Sequence, residues 1–367
     1  MANIERKLAS VRKVTEIRPI PDADAIECAI VGGGWPVVVK KGEFQAGDLA
    51  IYFEIDSWIP HELAPFLSKG KEPREYNGVK GERLKTVRLR GQVSQGLLLR
   101  FTDIPPSFYA VSLVEPEGGM LRVDECVWEE GEDFTLEFGI QKWEATVPAC
   151  LAGQVRGNFP SFITKTDQPR VQSLYDKLGE YKNVVYEVTE KLEGTSCTMY
   201  LNNGEFGVCS RNLDLKEDYN NTYWSVARKV NLEEKLKTAG FDNVAVQGEV
   251  VGPKIQQNIY KLNDFKFFVF DVYLTDMGRY MTPLERKNFC DQFGLGHVPV
   301  LGSFSIKDMG VEEILGMADG FSQLSNKTLR EGIVFKSECG AFSFKSISNQ
   351  YLLKSGLGRS RLGLVRG

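Results

Sequence analysis

The stretch VYEVTEKLEGTSCTMY, Val185 to Tyr200, sets a single lysine, Lys191, between a strand-like run and a glycine. A second strand-like run follows at once. Its continuation, LNNGEF, carries an Asn-Gly pair that joins Thr195–Leu201 to Glu205–Arg211 as a hairpin. Lys191 then lies near one mouth of that hairpin, with Ser210 and Arg211 returning towards it. A lysine so placed is either a solvated turn residue or a nucleophile. The chain holds two other Lys-x-x-Gly runs, Lys237–Gly240 and Lys307–Gly310. Both are expected to close helices, where a cation in the last turn and a glycine after it form a stop. Lys191 is flanked by strands and does not fit that reading.

Outward from this point the chain alternates α and β. Strands are expected at Val184–Thr189, Val244–Val251, Phe265–Leu274, Gly332–Lys336 and Ala341–Ile347. Helices are expected near Pro169–Leu178 and Asp218–Ala239. Another should start at Thr282, with Pro283 at its first position and Glu285 at capping-box spacing. The first hundred residues instead read as short strands: Val11–Arg18, Ile26–Val31, Trp35–Val39, Leu49–Ile55, Lys85–Leu89 and Gly96–Phe101. Turns dense in Gly, Pro and Asp separate them, which points to a small barrel. The acidic run Glu115–Glu137 reads as a connector. The fold class expected is therefore α+β: a β-barrel domain at 1–145, acidic connector included, and a mixed α/β domain with antiparallel sheets at 146–367.

Composition removes several classes of function. With 42% hydrophobic and 26% charged residues over 367 positions, the chain reads as a soluble globular protein. The N-terminal MANIERKLASVRK lacks an apolar leader core, so neither secretion nor a membrane is expected. Seven scattered cysteines without a Cys-x-x-Cys pair argue for reduced thiols in a reducing, cytoplasm-like compartment. Only His61 and His297 are present, which disfavours histidine-zinc and Ser-His-Asp chemistry. The net charge of −4 hides two basic segments. Lys69 to Arg90 holds eight basic and three acidic residues, and Lys336 to Gly367 holds six and one. Either segment can bind phosphate locally or serve as a solvated face.

Two resemblances sharpen this reading. RPIPDADAIECAIVGGGWPVVVKKGEFQAGDLAIYFEID with LRGQVSQGLLL resembles the OB-fold modules that bind tRNA in synthetase-associated proteins. Downstream of Lys191 come VQGEVVG with Glu249, FFVFDVY with Phe270 and Asp271, EGIVFK with Glu331 and Lys336, and FSFKSIS with Lys345. Their order and spacing resemble those of the covalent nucleotidyltransferases, which include polynucleotide ligases and capping enzymes. With the OB-like module in front and the approach NFPSFITKTDQPRVQ, the whole chain resembles the ATP-dependent RNA ligases of the Naegleria type.

That resemblance implies an enzyme that joins an RNA 3′-hydroxyl to a 5′-phosphate through lysyl-AMP and an adenylylated end, using ATP and Mg²⁺ or Mn²⁺. It implies Lys191 as the nucleophile, Arg211 on the ribose or the incoming phosphate, Glu249 on the ribose hydroxyl and Phe270 stacked on adenine. Glu331 and Glu193 would serve the metal, Lys345 the α-phosphate, and the main chain around Glu190 the adenine edge. The family pattern carries Asp where this chain has Glu193, and often a second lysine two residues from Lys345, where Ser343 and Ile347 stand here. That second role falls to Lys336 or Lys354, or is absent. Lys85, Arg88 and Arg90 are expected to hold RNA, and the enzyme to act as a monomer. The chemistry suits the residues: transferring a phosphoryl-linked group needs a free amine, cations for the phosphates and carboxylates for a metal. The rival readings are a non-catalytic RNA- or tRNA-binding protein, a capping enzyme or a DNA ligase. Only 22 residues follow Lys345, too few for the trailing OB domain that capping enzymes and DNA ligases usually carry.

Overall fold

A computed structural model of the chain describes residues 6–109, 128–143, 153–174 and 177–354. The first part of the acidic run, the segment around Cys150, and Arg359, Arg361 and Arg366 lie outside the described residues. Two compact units emerge, one centred on residues 5–145 and the other on 146–171 and 177–351.

In the first unit one long strand makes the barrel possible. β1 (Ala9–Pro19) pairs antiparallel through Ala9–Lys13 with β4 (Leu49–Phe53) and through Val14–Pro19 with β2 (Ile26–Val31). Its register shifts between Val14 and Glu16, a bulge that bends the strand so that its halves serve opposite neighbours. β3 (Trp35–Lys40) follows β2. Next come β5 (Ser57–Pro60), β6 (Arg74–Tyr76), β7 (Val79–Arg83), the hairpin β8 (Val87–Leu89) with β9 (Gln92–Ser94), β10 (Leu97–Leu99), and β11 (Gln141–Lys142). The main sheet runs β10-β4-β1-β2-β3. The Gln95 N–H donates to Pro36 O at 2.7 Å, so the far edge turns back on β3 and nearly closes the barrel. Apolar residues fill it, among them Val11, Ile51 and Phe53. The described part of the acidic run belongs to this core. Phe134, Phe138 and Ile140 pack against Phe53, and the Val11 N–H donates to Glu132 O. The carboxylates stay exposed while the aromatics between them are buried.

The second unit packs two antiparallel sheets. The larger runs β12-β16-β15-β14-β17-β18-β19: β12 (Val155–Asn158), β14 (Thr195–Asn202), β15 (Glu205–Cys209), β16 (Leu213–Leu215), β17 (Val244–Val251), β18 (Lys266–Leu274) and β19 (Arg279–Tyr280). β20 (Gly296–His297) joins β18 in parallel. The smaller sheet runs β21-β13-β24-β25, from β21 (Val300–Ser305), β13 (Val185–Lys191), β24 (Gly332–Ser337) and β25 (Ser343–Ile347). A short pair, β22 (Phe321–Ser322) and β23 (Ser325–Leu329), stands apart. Helices α1 (Thr222–Val230), α2 (Leu232–Thr238) and α3 (Pro283–Phe293) cover the outer face of the large sheet. Trp224, Leu236 and Phe289 pack there against Val246 and Val269.

The helix expectations need revision in three places. Asp218–Ala239 is two helices, because Asn231 takes φ 51° and turns the chain between them; Asn tolerates that left-handed geometry better than most residues. In its described part Pro169–Leu178 holds the 3₁₀ turn Val171–Leu174 and only the first residue of a second, Leu178–Tyr181. There Pro169 O is spent on the Lys345 N–H at 2.8 Å, so the start of the segment is taken by the edge of β25. Lys307–Gly310 does not close a helix. It precedes α4 (Val311–Met317), where the Glu313 carboxylate accepts the Gly310 N–H at 2.7 Å. The Thr282 box forms as expected, with Glu285 N–H on Thr282 Oγ1 and Thr282 N–H on Glu285 Oε2. Among the described residues no helix is long and apolar enough to cross a membrane.

Candidate active site

Lys191 ends β13 opposite Gly332, and Glu331 immediately precedes that partner. Strand pairing therefore delivers the two residues to each other, and Lys191 Nζ donates to Glu331 Oε1 at 2.7 Å. The two side chains keep 28% and 20% of their surface open. One row further, Thr189, Val334 and Lys345 stand side by side across β13, β24 and β25. Lys345 thus shares the face of Lys191. Burial pushes its ammonium down to about 7, against the pull of Asp167, and Lys191, Arg170 and Arg211 add to the depression. Asp167 lies 3.9 Å from Lys345 and 3.5 Å from the mostly exposed Arg211. The result is a cationic group of Lys191, Lys345, Arg170 and Arg211 crossed by one carboxylate.

The turn after Lys191 is pressed against β17. A Cβ at Gly194 would stand 2.4 Å from Val250 O and 2.8 Å from Glu249 Cγ, so only glycine fits there. The Gly194 N–H in turn supports the Glu249 carboxylate. Burial nonetheless raises Glu249 to about 8, Lys191 opposing and Glu331 adding to the rise. Glu249 lies across from Ser196 on one side and Phe268 on the other. β18 reaches the same face through a bulge: Gln247 pairs with Asp271 and Gly248 with Val269, leaving Phe270 as the extra residue. Phe268 and Phe270 are half-buried beside Leu192, Val251 and Tyr260.

Lys336 shares the face of Lys191 and Lys345 but sits deeper. Its ammonium is spent on Asp271 Oδ1 and on Phe270 O, and it is 5.7 Å from the Phe270 ring. Burial pushes it down to about 8, with Asp271 opposing. These bonds brace the strand that carries Phe270. Ser343 and Ile347, on β25 with Lys345, are both buried. Glu190 points away from Lys191, and its carboxylate accepts the Gln323 N–H at 2.7 Å. Its own N–H is spent on Pro299 O. Behind Lys336 lies a buried polar cluster. Arg286, 1% exposed, bonds Glu187 on β13, donates to His297 Nε2 at 2.9 Å and stands 3.9 Å from Asp271. Burial and the neighbouring guanidinium hold His297 down at about 4, so it is neutral, with Nδ1–H on Val298 O.

Among the described residues no three His, Cys, Asp or Glu side chains form a metal cage. Burial raises Glu193 and the nearby Glu331 adds to the rise, and Glu193 Oε2 is buried without a partner. Two carboxylates with one free oxygen suit a hard divalent ion that completes its shell with phosphate and water. Asp167, Arg170, Tyr260 and Tyr351 were not singled out from the sequence. The first two lie in the quoted run NFPSFITKTDQPRVQ, where charge next to Pro is the one visible signal.

The expected RNA contacts lie in the first unit. Lys85, Arg88 and Arg90 are exposed on or beside the β8–β9 hairpin, whose tip is Arg90–Gly91, both with positive φ. Val87 and Leu89 of the same hairpin are also exposed, at 37% and 42%.

Comparison with known proteins matches a family model to each unit. The RNA ligase family model matches residues 184–348, and an OB-fold domain model matches residues 8–101. Among solved structures the chain is similar to Naegleria gruberi RNA ligase, at 42% identity. An apo Asp-to-Ala variant of that protein aligns over 96% of this chain and 99% of its own, with a TM-score of 0.78. A Lys-to-Ala variant with ATP and Mn, and a Glu-to-Ala variant with AMP and Mn, align over 96% of this chain and 100% of theirs, at 0.79. No curated protein matches the chain.

Proposed function

The chain belongs to the RNA ligase family, and from that premise we propose that Lys191 is the residue through which it handles AMP. It is an ATP-dependent RNA ligase that uses ATP and Mn²⁺. The observation that carries the site assignment is the pairing of Lys191 with Glu331 at 2.7 Å, with Lys345, Glu249 and Glu193 close around it.

The residues suggest their own division of labour. Lys191 Nζ attacks the α-phosphorus of ATP, forming a P–N bond while pyrophosphate leaves. Lys345, Arg170 and Arg211 carry the positive charge that offsets the phosphate oxygens, and Asp167 holds two of these cations in place. Glu249 takes the ribose hydroxyl, and Phe270 offers its ring to adenine on a strand braced by Lys336. Glu193 and Glu331 would hold the divalent ion, which there would supply charge neutralisation at the phosphates; Mg²⁺ suits the same oxygen donors. AMP then passes to an RNA 5′-phosphate, and a 3′-hydroxyl displaces AMP to close the phosphodiester. We assign a single chain as the working unit. Incubation with α-labelled ATP, GTP or NAD and Mn²⁺, without RNA, tests this reading. Label on the denatured chain from ATP alone is expected, whereas label from GTP would indicate capping chemistry.

ATP binding should also take up protons. At pH 8 Lys345, held at about 7, is mostly neutral in the free protein, and a triphosphate beside it restores the charge. Calorimetry of the Lys191→Ala variant in two buffers of different ionisation heat should report up to about one proton taken up per ATP at pH 8. Uptake should be small at pH 6, where Lys345 is already charged, and reduced in Lys191→Ala/Lys345→Met.

For RNA we propose the β8–β9 hairpin. Its three cations have no acidic partner among the described residues, and its exposed aliphatic side chains offer bases an apolar surface. Replacing Lys85, Arg88 and Arg90 by Ala should leave Lys-AMP formation near normal and weaken sealing. The slope of log affinity against log salt should become shallower by about 2. Equal loss of both steps would mean that these residues serve the fold.

A further inference from the structure

The run from Phe159 to Thr166 lies over the site-facing side of the large sheet, and three rows of that sheet show how it is held. Tyr200, Ala245 and Tyr273 stand side by side across β14, β17 and β18. Thr198, Gln247 and Asp271 form the next row, and Ser196 with Glu249 the one after. Side chains alternate along β17, so Ala245 and Gln247 share the face of Glu249. Ile163 is 3% exposed and packs on the first row. Gln247 then grips the run: its Nε2 donates to Thr164 O at 2.9 Å, and its Oε1 accepts the Thr166 hydroxyl. The Tyr280 hydroxyl donates to the same Thr164 O at 2.8 Å.

On its outer side this run presents a ring and a cation in a connected line that leads to Arg211. Phe162 stands edge-on to the buried Tyr200, at 5.5 Å between ring centres, yet keeps 41% of its surface open. Lys165 is exposed and bonds Asn212 Oδ1 at 3.2 Å, a neutral partner that leaves its charge uncancelled. Its ammonium is 5.5 Å from the Phe159 ring, and the Phe159 N–H donates to Asn212 O at 2.9 Å. Asn212 follows Arg211, whose side chain is 63% exposed beside Asp167, and Asp167 in turn neighbours Lys345. Residues 153–170 hold three basic side chains against Asp167 alone. Positive charge attracts phosphates, and an open ring offers a base a face on which to stack. Bases inside a duplex are already stacked on their neighbours, so this surface suits unpaired nucleotides.

We propose that Phe162 and Lys165 form a docking surface for single-stranded RNA, taking up the nucleotides that follow the 5′-phosphate. This rests on the reading that AMP passes from Lys191 to an RNA 5′-phosphate. The terminal phosphate meets Arg211, a following phosphate meets Lys165, and one base stacks on Phe162. Gln247 keeps this surface in line with the site, because it ties the run to the strand that carries Glu249. The surface belongs to the second unit, whereas the β8–β9 hairpin belongs to the first.

The test isolates the transfer of AMP to RNA. The full chain is labelled with α-labelled ATP and Mn²⁺, freed of nucleotide, and mixed with rising amounts of 5′-phosphorylated single-stranded RNA. Phe162→Ala is expected to raise the half-saturating RNA concentration about tenfold, with the plateau rate of transfer near that of the parent. Phe162→Trp should keep the parent value, since an aromatic face remains. Lys165→Ala should also raise half-saturation, and its dependence on salt in a log–log plot should become shallower by about 0.7. Parent-like half-saturation in both Phe162→Ala and Lys165→Ala would overturn the docking surface. A lowered plateau with half-saturation unchanged would overturn it as well, because the two residues would then act on the reacting phosphates. A parent chain that takes no label, or takes label and passes none to RNA, would instead overturn the reading beneath it.

Discussion

Replacing Lys191 by Ala should leave no covalent nucleotide on the chain after incubation with α-labelled ATP and Mn²⁺. The expectation is complete loss, because the P–N bond has nowhere else to form. Lys345 faces the same space, but it stands on the next strand but one and its neighbours hold it among other cations. A lysine intended for attack needs its amine at the reacting phosphorus, and the mouth of β13 is where the strand ends and the Gly194 turn opens that space. The fold should survive the change. Lys191 is partly exposed and its partner Glu331 retains access to water, so the cost of leaving that carboxylate unpaired is about 1 kcal/mol or less. The control is therefore direct. Lys191→Ala should melt near the parent temperature and bind RNA with similar affinity while taking no label. Label of normal intensity on the variant would remove Lys191 from the chemistry and throw suspicion on Lys345.

The largest stability loss should come from a residue that touches no substrate. Arg286→Met is expected to destabilise the second unit by about 3–5 kcal/mol. Arg286 is buried, pairs with Glu187 and supports His297, so its removal strands a carboxylate that is itself only 8% exposed. The loss is one of orphaning, not of attraction, and this separates it from a surface pair such as Lys229 with Asp264. The double variant Glu187→Gln/Arg286→Met should accordingly recover much of the deficit. Chemical denaturation followed by a probe confined to the second unit would measure it, since two units need not unfold together. A cost for Arg286→Met below about 1 kcal/mol, the range of exposed pairs, would show that water reaches Glu187.

How much of this was open to reading before the structure depends on range along the chain. Hairpins announce themselves locally: Asn203–Gly204 at the turn, alternation on either side, and Thr282 with Glu285 at the start of a helix. Strands β2 and β17 match their expected limits. Short strands such as Ser57–Pro60 and Leu213–Leu215 escaped, because three or four residues hold too little alternation to register. The acidic run looked like a connector because its charges outnumber its aromatics. Phe134 and Phe138 nevertheless find the barrel core, a contact set by residues more than eighty positions away. The surroundings of Lys336 were hidden for a related reason: its burial against Asp271 arises from the other sheet.

The bulge in β18 has a further consequence. An unbroken strand offers one parity of residues to each side. Here the odd positions Phe267 and Val269 enter the helix-covered core, and after Phe270 the even position Val272 does so. The strand changes reading frame halfway without losing its core, and at the change two successive residues, Phe270 and Asp271, are released to the opposite side. One inserted residue thus supplies both a ring and the anchor for Lys336. Deleting it would restore strict alternation and leave room for only one of them, so the length of this strand, more than its composition, sets what the site can hold.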